Sequence, residues 1–340
     1  MAKKTPKIEG FTWTVEDVNL INETETWGEI LVALGQDDPR LVALTADLGN
    51  STQLERFKRA FPQRFFNVGV AEQNLMAVAA GMAAMELVPV VCTYATFAVL
   101  RAAEFVRTDL AYGGRNVKIV GTLAGVAFGQ GGPTHHSVAD IALMRAIPEM
   151  VVLAPSDGTE LGCALRAAIA HQGPVYLRTG RGIEPPLGGR DDPFVIGKAR
   201  TLRPGDDLTV IACGPPVHEA LRAAERAARQ GISVRVINMA SLKPLDTAVV
   251  VSAARETGHI ITVEDHNVIG GLGTAVADVI AGHGLRCSFR KLGHQDRFLV
   301  MGIPEDLMSL GGFDEDAVFA AICDAVGMTP VLESEWSDDP

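Results

Sequence analysis

Three short segments carry side chains that could do chemistry. The first is Val68-Gly69-Val70-Ala71-Glu72-Gln73-Asn74, where a lone carboxylate falls between a short β-branched run and a strongly apolar stretch over 75–85. An acid in the first turn of a helix answers the positive end of the helix dipole, and Glu72 can be read as no more than that. A helix this apolar is also expected to be buried, which puts Glu72 at the carboxyl edge of a sheet, where α/β proteins bind ligands. A carboxyl buried at such an edge holds its proton more firmly and can trade it near neutrality. The second segment, Thr93-Tyr94-Ala95-Thr96-Phe97, ends another β-branched run, and its rings either complete a core or stack on a flat heterocycle. The third, Gly129-Gln130-Gly131-Gly132-Pro133-Thr134-His135-His136, is a glycine-rich turn that presents two imidazoles. Turns of this kind occur both as plain surface loops and at active sites. Neighbouring side chains in an extended loop point apart and no third ligand lies at metal spacing, so the histidine pair predicts no metal site.

Short β-branched runs alternate with Ala/Leu-rich stretches along almost the whole chain, the pattern of an α/β protein with mainly parallel sheets. It predicts helices over 26–34, 54–61, 72–85, 98–112, 138–146 and 158–171. Between them it predicts strands over 41–45, 65–70, 88–93, 117–123, 150–154 and 175–177. Residues 181–192 have the Gly/Pro-rich composition of a linker. A second α/β unit follows, with strands over 208–213, 233–238, 259–264 and 286–292 and helices over 217–230, 247–256, 274–281 and 315–326; residues 329–340 read as a polar tail. Two α/β domains are therefore expected, over 22–188 and 189–328, divided near Arg190, as the length of 340 residues also suggests at roughly 100–200 residues per domain. Nothing from 208 onward suggests chemistry beyond packing. Gly270-Gly271-Leu272-Gly273, ahead of a helix, could cradle an anion or simply let helix and strand approach closely.

With 47% hydrophobic and 21% charged residues the chain has ample material for buried cores, which excludes disorder. The formal net charge of −11, with no basic cluster past the first few residues, argues against nucleic-acid and anionic-membrane binding. The longest near-apolar run, 75–85, is far short of the ~20 residues that span a bilayer, and no apolar run follows the first lysines as a secretory signal requires. The five cysteines are scattered and never paired as CxxC, which argues for a reducing, cytoplasmic setting. No phosphate loop, HExxH, GxSxG or GxGxxG is present.

Taken in order, these segments resemble the transketolase family of thiamine diphosphate enzymes. The resemblance runs from Asn22 to about Val326. It takes in Ala46-Asp47-Leu48, the junction at Glu72, Tyr94-Ala95-Thr96-Phe97, Gly132-Pro133-Thr134-His135, and Arg145-Ala146-Ile147-Pro148-Glu149-Met150. Pro155-Ser156-Asp157, Gly173-Pro174-Val175-Tyr176-Leu177-Arg178, and Val263-Glu264-Asp265-His266 with its glycine turn complete it. It implies a pyrimidine-binding domain followed by the family's C-terminal domain, which mainly supports dimerisation. Family members hold the cofactor diphosphate and Mg²⁺ through Gly-Asp-Gly and a downstream Asn in an N-terminal domain, and this sequence has no Gly-Asp-Gly. The chain is thus similar to the C-terminal subunit of a split, two-gene transketolase. That implies a partner subunit carrying the motif, an α2β2 assembly on a homodimeric core, and a sugar or sugar-phosphate substrate.

Residue by residue, the resemblance implies that Glu72 bonds the cofactor's pyrimidine N1′ and drives formation of the ylid, through which a two-carbon ketol unit passes from a ketose to an aldehyde. Phe97, with Tyr94 nearby, would stack on the pyrimidine, and Arg101 would lie beside the cofactor. His135 would bond the transferred hydroxyacyl oxygen, while Ser51 and Arg181 would contact a substrate phosphate. Three family positions depart: Thr24 stands for an Arg, Leu123 for an imidazole, and Gly131 for an Asp that reads a substrate hydroxyl. Losing such groups shifts substrate choice, so a substrate other than the ordinary pentose phosphates is expected. The β subunit of a 2-oxo-acid dehydrogenase and a 1-deoxyxylulose-phosphate-synthase-like subunit share the cofactor and remain alternatives, as does a non-catalytic interaction subunit.

Overall fold

The strands of the first unit are near-continuous apolar runs, as in Leu41-Val42-Ala43-Leu44-Thr45, all five of whose residues are buried. Such strands must be covered on both faces, which is the habit of parallel sheets wound with helices. A computed structural model describes residues 27–181, 184–189 and 191–330 and shows this arrangement. Asn22, Thr24 and Arg190 lie outside the described residues, as does the tail from 331 onward.

In chain order the first unit comprises α1 (Trp27–Asp37), β1 (Leu41–Thr45), α2 (Glu55–Ala60), β2 (Phe65–Asn67), α3 (Glu72–Ala84), β3 (Val88–Tyr94), β4 (Lys118–Thr122), α4 (Asp140–Ala146), β5 (Val151–Leu153), α5 (Gly158–Ala170) and β6 (Val175–Arg178). The second comprises β7 (Arg200–Arg203), β8 (Leu208–Ala212), α6 (Pro216–Arg229), β9 (Val234–Asn238), β10 (Ser241–Lys243), α7 (Thr247–Glu256), β11 (His259–Asn267), α8 (Leu272–Gly282), β12 (Ser288–His294), α9 (Pro304–Gly311) and α10 (Glu315–Ala325). The first sheet runs β10-β5-β6-β4-β3-β1-β2 and the second β12-β11-β8-β9-β7. Both are parallel except for one edge strand each, β10 against β5 and β7 against β9. Leu31, Phe57 and Leu165 cover one face of the first sheet; on the other, Leu75, Val106 and Met144 join a core that continues into the second unit through Ile237, Leu242 and Leu272.

The structure departs from the sequence expectations at particular places. The single helix expected over 98–112 is π-helical over Phe97–Arg101, briefly α-helical over Ala103–Phe105, and π-helical again over Val106–Tyr112; π turns mark functional sites more often than plain helices do. Helix α3 is fully buried on one side only, through Glu72, Leu75, Met76 and Ala79, while Val78, Ala80, Met82 and Ala83 are half-buried against the same core and Gly81 and Ala84 are exposed among the described residues. Strands β7 and β10 and helix α9 escape a periodicity reading because Arg-Thr-Leu-Arg and Ser-Leu-Lys are short and polar at sheet edges, and α9 follows an irregular segment. Although β10 lies in the second half of the chain, it belongs to the first sheet.

The glycine turn at 270–273 does cradle an acidic side chain, and that side chain is the chain's own. Glu264, fully buried on β11, accepts the N–H of Leu272 at 2.6 Å and of Gly273 at 2.7 Å, at the opening of α8. A Cβ on Gly271 would overlap that carboxylate. Burial still pushes the Glu264 pKa up to about 7, against those two N–H groups, while burial holds the neighbouring His266 down to about 4 and neutral. Between its ordinary value of 4.5 and about 7 the folded chain keeps a proton that the unfolded chain has released, so this contribution to stability is full below 4.5 and is lost as pH rises through 7. The loss is on the order of 3 kcal/mol. Urea unfolding of wild type and Glu264→Gln is expected to show a larger wild-type advantage at pH 5 than at pH 7.5.

Candidate active site

Because β1, β2, β3, β4 and β6 run the same way, the residues that follow them meet at one edge. Ser51 follows β1, Glu72 follows β2, Tyr94 ends β3 with Phe97 just beyond, His135 lies on the loop after β4, and Arg181 follows β6. Glu72 is the first residue of α3, 1% exposed, and Ala71 before it gives no side-chain cap. The Arg101 Nη1 donates to Glu72 Oε2 at 2.6 Å, and the same guanidinium lies 4.6 Å from the centroid of the Phe97 ring. A single planar cation thus covers both a buried carboxylate and an aromatic face. The burial read from the apolar helix is present; the charge lying on it comes from 29 residues away.

His135 stands edge-on to three rings, with centroids at 5.3 Å from Phe97, 5.4 Å from Phe128 and 6.4 Å from Tyr94. Tyr94 in turn packs on Phe97 at 6.1 Å and Phe128 at 5.7 Å. The Thr134 hydroxyl lies 2.9 Å from His135 Nδ1, which leaves Nε2 as the nitrogen turned toward other chemistry. His136 points the other way, its Nε2 at 3.1 Å from the Gly129 carbonyl, as expected of neighbours in a loop. Phe128 is part of this aromatic box and was not singled out by the sequence; its position just before a glycine turn is the one local signal that marks it.

Ser51 and Arg181 line a common cleft with Trp27, Gln53, Thr122, Leu123 and Thr179. Leu123 holds the uncommon φ of +53° at the lip of that cleft. Arg181 Nε donates to the Ala127 carbonyl at 3.0 Å, so the cleft shares its wall with the loop that carries His135. Two groups therefore form along the edge: Glu72, Arg101, Phe97, Tyr94 and His135 in one, Ser51 and Arg181 with Leu123 in the other. Chemically the first suits a flat, protonatable heterocycle, which would take the place of the guanidinium, and the second suits the polar end of a small molecule.

Comparison with known proteins gives the family. Residues 21–185 match the model for the transketolase pyrimidine-binding domain and residues 197–318 that for the transketolase C-terminal domain. A transketolase C-terminal section from Methanocaldococcus jannaschii is 42% identical, over 86% of this chain and 92% of its own length. A 6-deoxy-6-sulfo-D-fructose transketolase subunit from a Clostridium species is 39% identical, over 87% of this chain and 92% of its own. A solved split-gene transketolase, described as an inactive β4 tetramer, is 41% identical and superimposes with a TM-score of 0.80, over 89% of this chain and 97% of its own. The chain belongs to the transketolase family.

Gly131, where the resemblance implies an acid, is closely packed: a Cβ there would sit 2.8 Å from both His135 Cβ and Phe128 Cδ1. Gly131→Ala is expected to cost about 1–3 kcal/mol through this overpacking, measured by urea unfolding; a loss below about 0.5 kcal/mol would show that the turn has room for a side chain.

Proposed function

We propose that this chain is the C-terminal, pyrimidine-binding subunit of a two-component transketolase, which transfers a two-carbon ketol unit from a ketose to an aldehyde. The observation that carries the reading is the buried Glu72 carboxylate, joined through the Arg101 guanidinium to the Phe97 ring of the box that also holds His135. Those residues fit the aminopyrimidine half of thiamine diphosphate: a carboxyl for its ring nitrogen, rings for its face, and a planar cation already resting where it would lie. When bound, the cofactor supplies the nucleophilic carbon and the electron sink that the chain itself lacks. Glu72 would hold a proton against the pyrimidine nitrogen, with Arg101 beside the cofactor. Phe97 and Tyr94 set the ring's plane. His135, through Nε2, bonds the substrate oxygen and carries its proton. The diphosphate and Mg²⁺ fall to a partner subunit with Gly-Asp-Gly and a downstream Asn, in a cytoplasmic α2β2 assembly with a homodimeric core.

Ser51 and Arg181 grip the far end of the sugar, with Leu123 and Gly131 in place of groups that elsewhere read phosphate and hydroxyl. The relative that acts on a sulfonated sugar supports an end group other than phosphate on this scaffold. With the partner recovered by native pull-down, the complex is expected to prefer a modified or less phosphorylated sugar over xylulose 5-phosphate and ribose 5-phosphate. Pentose-phosphate kinetics equal to those of ordinary transketolases would remove that substrate reading, and CO₂ release from pyruvate would move the chain to a different thiamine diphosphate reaction. In the same complex Glu72→Gln is expected to lower kcat about 10²–10⁴-fold, whereas a non-catalytic scaffold would be indifferent to it.

A further inference from the structure

The loop that carries His135 is held from the other half of the chain. It leaves β4 after Thr122 and narrows to a neck where Gly125 and Ser137 exchange both backbone hydrogen bonds at 2.9 Å, before entering α4 at Asp140. Asp265, on β11 of the second sheet, reaches into this neck. Its carboxylate accepts the Val126 N–H at 3.2 and 3.1 Å and lies 2.8 Å from His294 Nε2. The approach is close, because Gly125 has a φ of +63° and a Cβ on it would run into that carboxylate. Arg178, at the end of β6, ties the same parts together. It donates to Asp140 Oδ2 at 2.8 Å, to the Ser137 carbonyl at 3.3 Å and to the Asp265 carbonyl at 2.5 Å.

We propose that Asp265 is a positioning residue for His135. Holding the Val126 N–H and the His294 imidazole in a site closed to water, it fixes the neck of the loop and so seats the His135 ring against Tyr94, Phe97 and Phe128. The levers are short: Phe128 is two residues from Val126, and His135 is two from Ser137. Asp140, Arg178, Asp265 and His294 are all buried, so none of these contacts is exchanged for water. Burial raises the cost of the Asp265 charge, and the hydrogen bond from His294 with the nearby Arg178 outweighs it, so the carboxyl sits below its usual range and keeps its acceptor form. The inference rests on the reading of His135 as the group that handles the substrate oxygen.

The test combines Asp265→Ala and Asp265→Asn with His135→Ala, each assayed as the complex with its partner subunit at saturating cofactor. Asp265→Ala is expected to lower kcat about 10- to 100-fold, since small misplacements of a reacting group cost that much, with the donor KM changed less than about 3-fold. Asp265→Asn, whose Oδ1 still accepts the Val126 N–H, is expected to recover most of the rate. In the His135→Ala background Asp265→Ala is expected to cost no more than about 3-fold, because the two residues act as one unit. Equal losses in both backgrounds would overturn the proposal. His294→Ala is the gentler second variant, should Asp265→Ala not fold, and is expected to lose kcat only where His135 is present. Hydrogen exchange over 124–138 in the isolated chain reads the clamp without any activity: faster exchange in Asp265→Ala or His294→Ala supports it, and unchanged exchange overturns it. A wild-type complex that turns over no ketose would defeat the transketolase reading, while the exchange measurement would still decide the clamp.

Discussion

Common strand direction in the first sheet is the constraint on which the rest of this structure depends. Parallel strands need long crossovers, and those crossovers return each strand to the same starting edge, so every carboxyl end opens on the opposite one. Residues as distant in the chain as Ser51 and Arg181 thereby share a cleft, and Glu72, Tyr94 and the His135 loop become neighbours. The energetic condition is that each strand be buried on both faces, and the two cores on either side of β1, β3, β4 and β6 meet it.

Arg101 shows how this edge satisfies a buried carboxylate. A carboxylate 1% exposed at a helix start would be costly if unpaired. The guanidinium supplies a charge-assisted hydrogen bond and covers the neighbouring ring in one move. Any planar ligand taken up here therefore replaces an existing interaction, and its net gain is the difference between the two. The π-helical turn Phe97–Arg101 is what delivers both side chains to that place.

The second half of the chain does more than support the first. It supplies β10 to the first sheet, extends the shared core, and sends Asp265 into the neck of the loop that carries His135. Buried charged groups lie in both halves of the chain. Glu264 is met by two N–H groups at the start of α8, and Arg178 by Asp140 and two carbonyls. Each compensation is local and geometric, which is why glycine stands at 125 and 271, where a side chain would displace a carboxylate.

The parallel α/β architecture, the strand-to-helix junction at Glu72, the aromatics ending β3 and the diverging histidines could all be read in the sequence. Each is written in a pattern only a few residues long: apolar periods, a charge at a helix start, glycines in a turn. The sequence was silent or misleading where the answer lies beyond such a window. It suggested that α3 is buried and did not show that only one of its sides is fully so, because an apolar run reports that a surface will be covered but not by what. It did not place Arg101 on Glu72, Phe128 beside His135, or Asp265 on Val126, the last a contact 139 residues apart. It read the region after 208 as packing, with Val263-Glu264-Asp265-His266 and its glycine turn shaping an interface or the rim of the site, but it did not show that Asp265 meets Val126, a contact made only when the two sheets close on each other. Local spacing determined which elements form; the order of the strands and the packing of the two sheets decided which side chains meet, because hydrogen bonds and ion pairs act over a few ångströms whatever the distance along the chain.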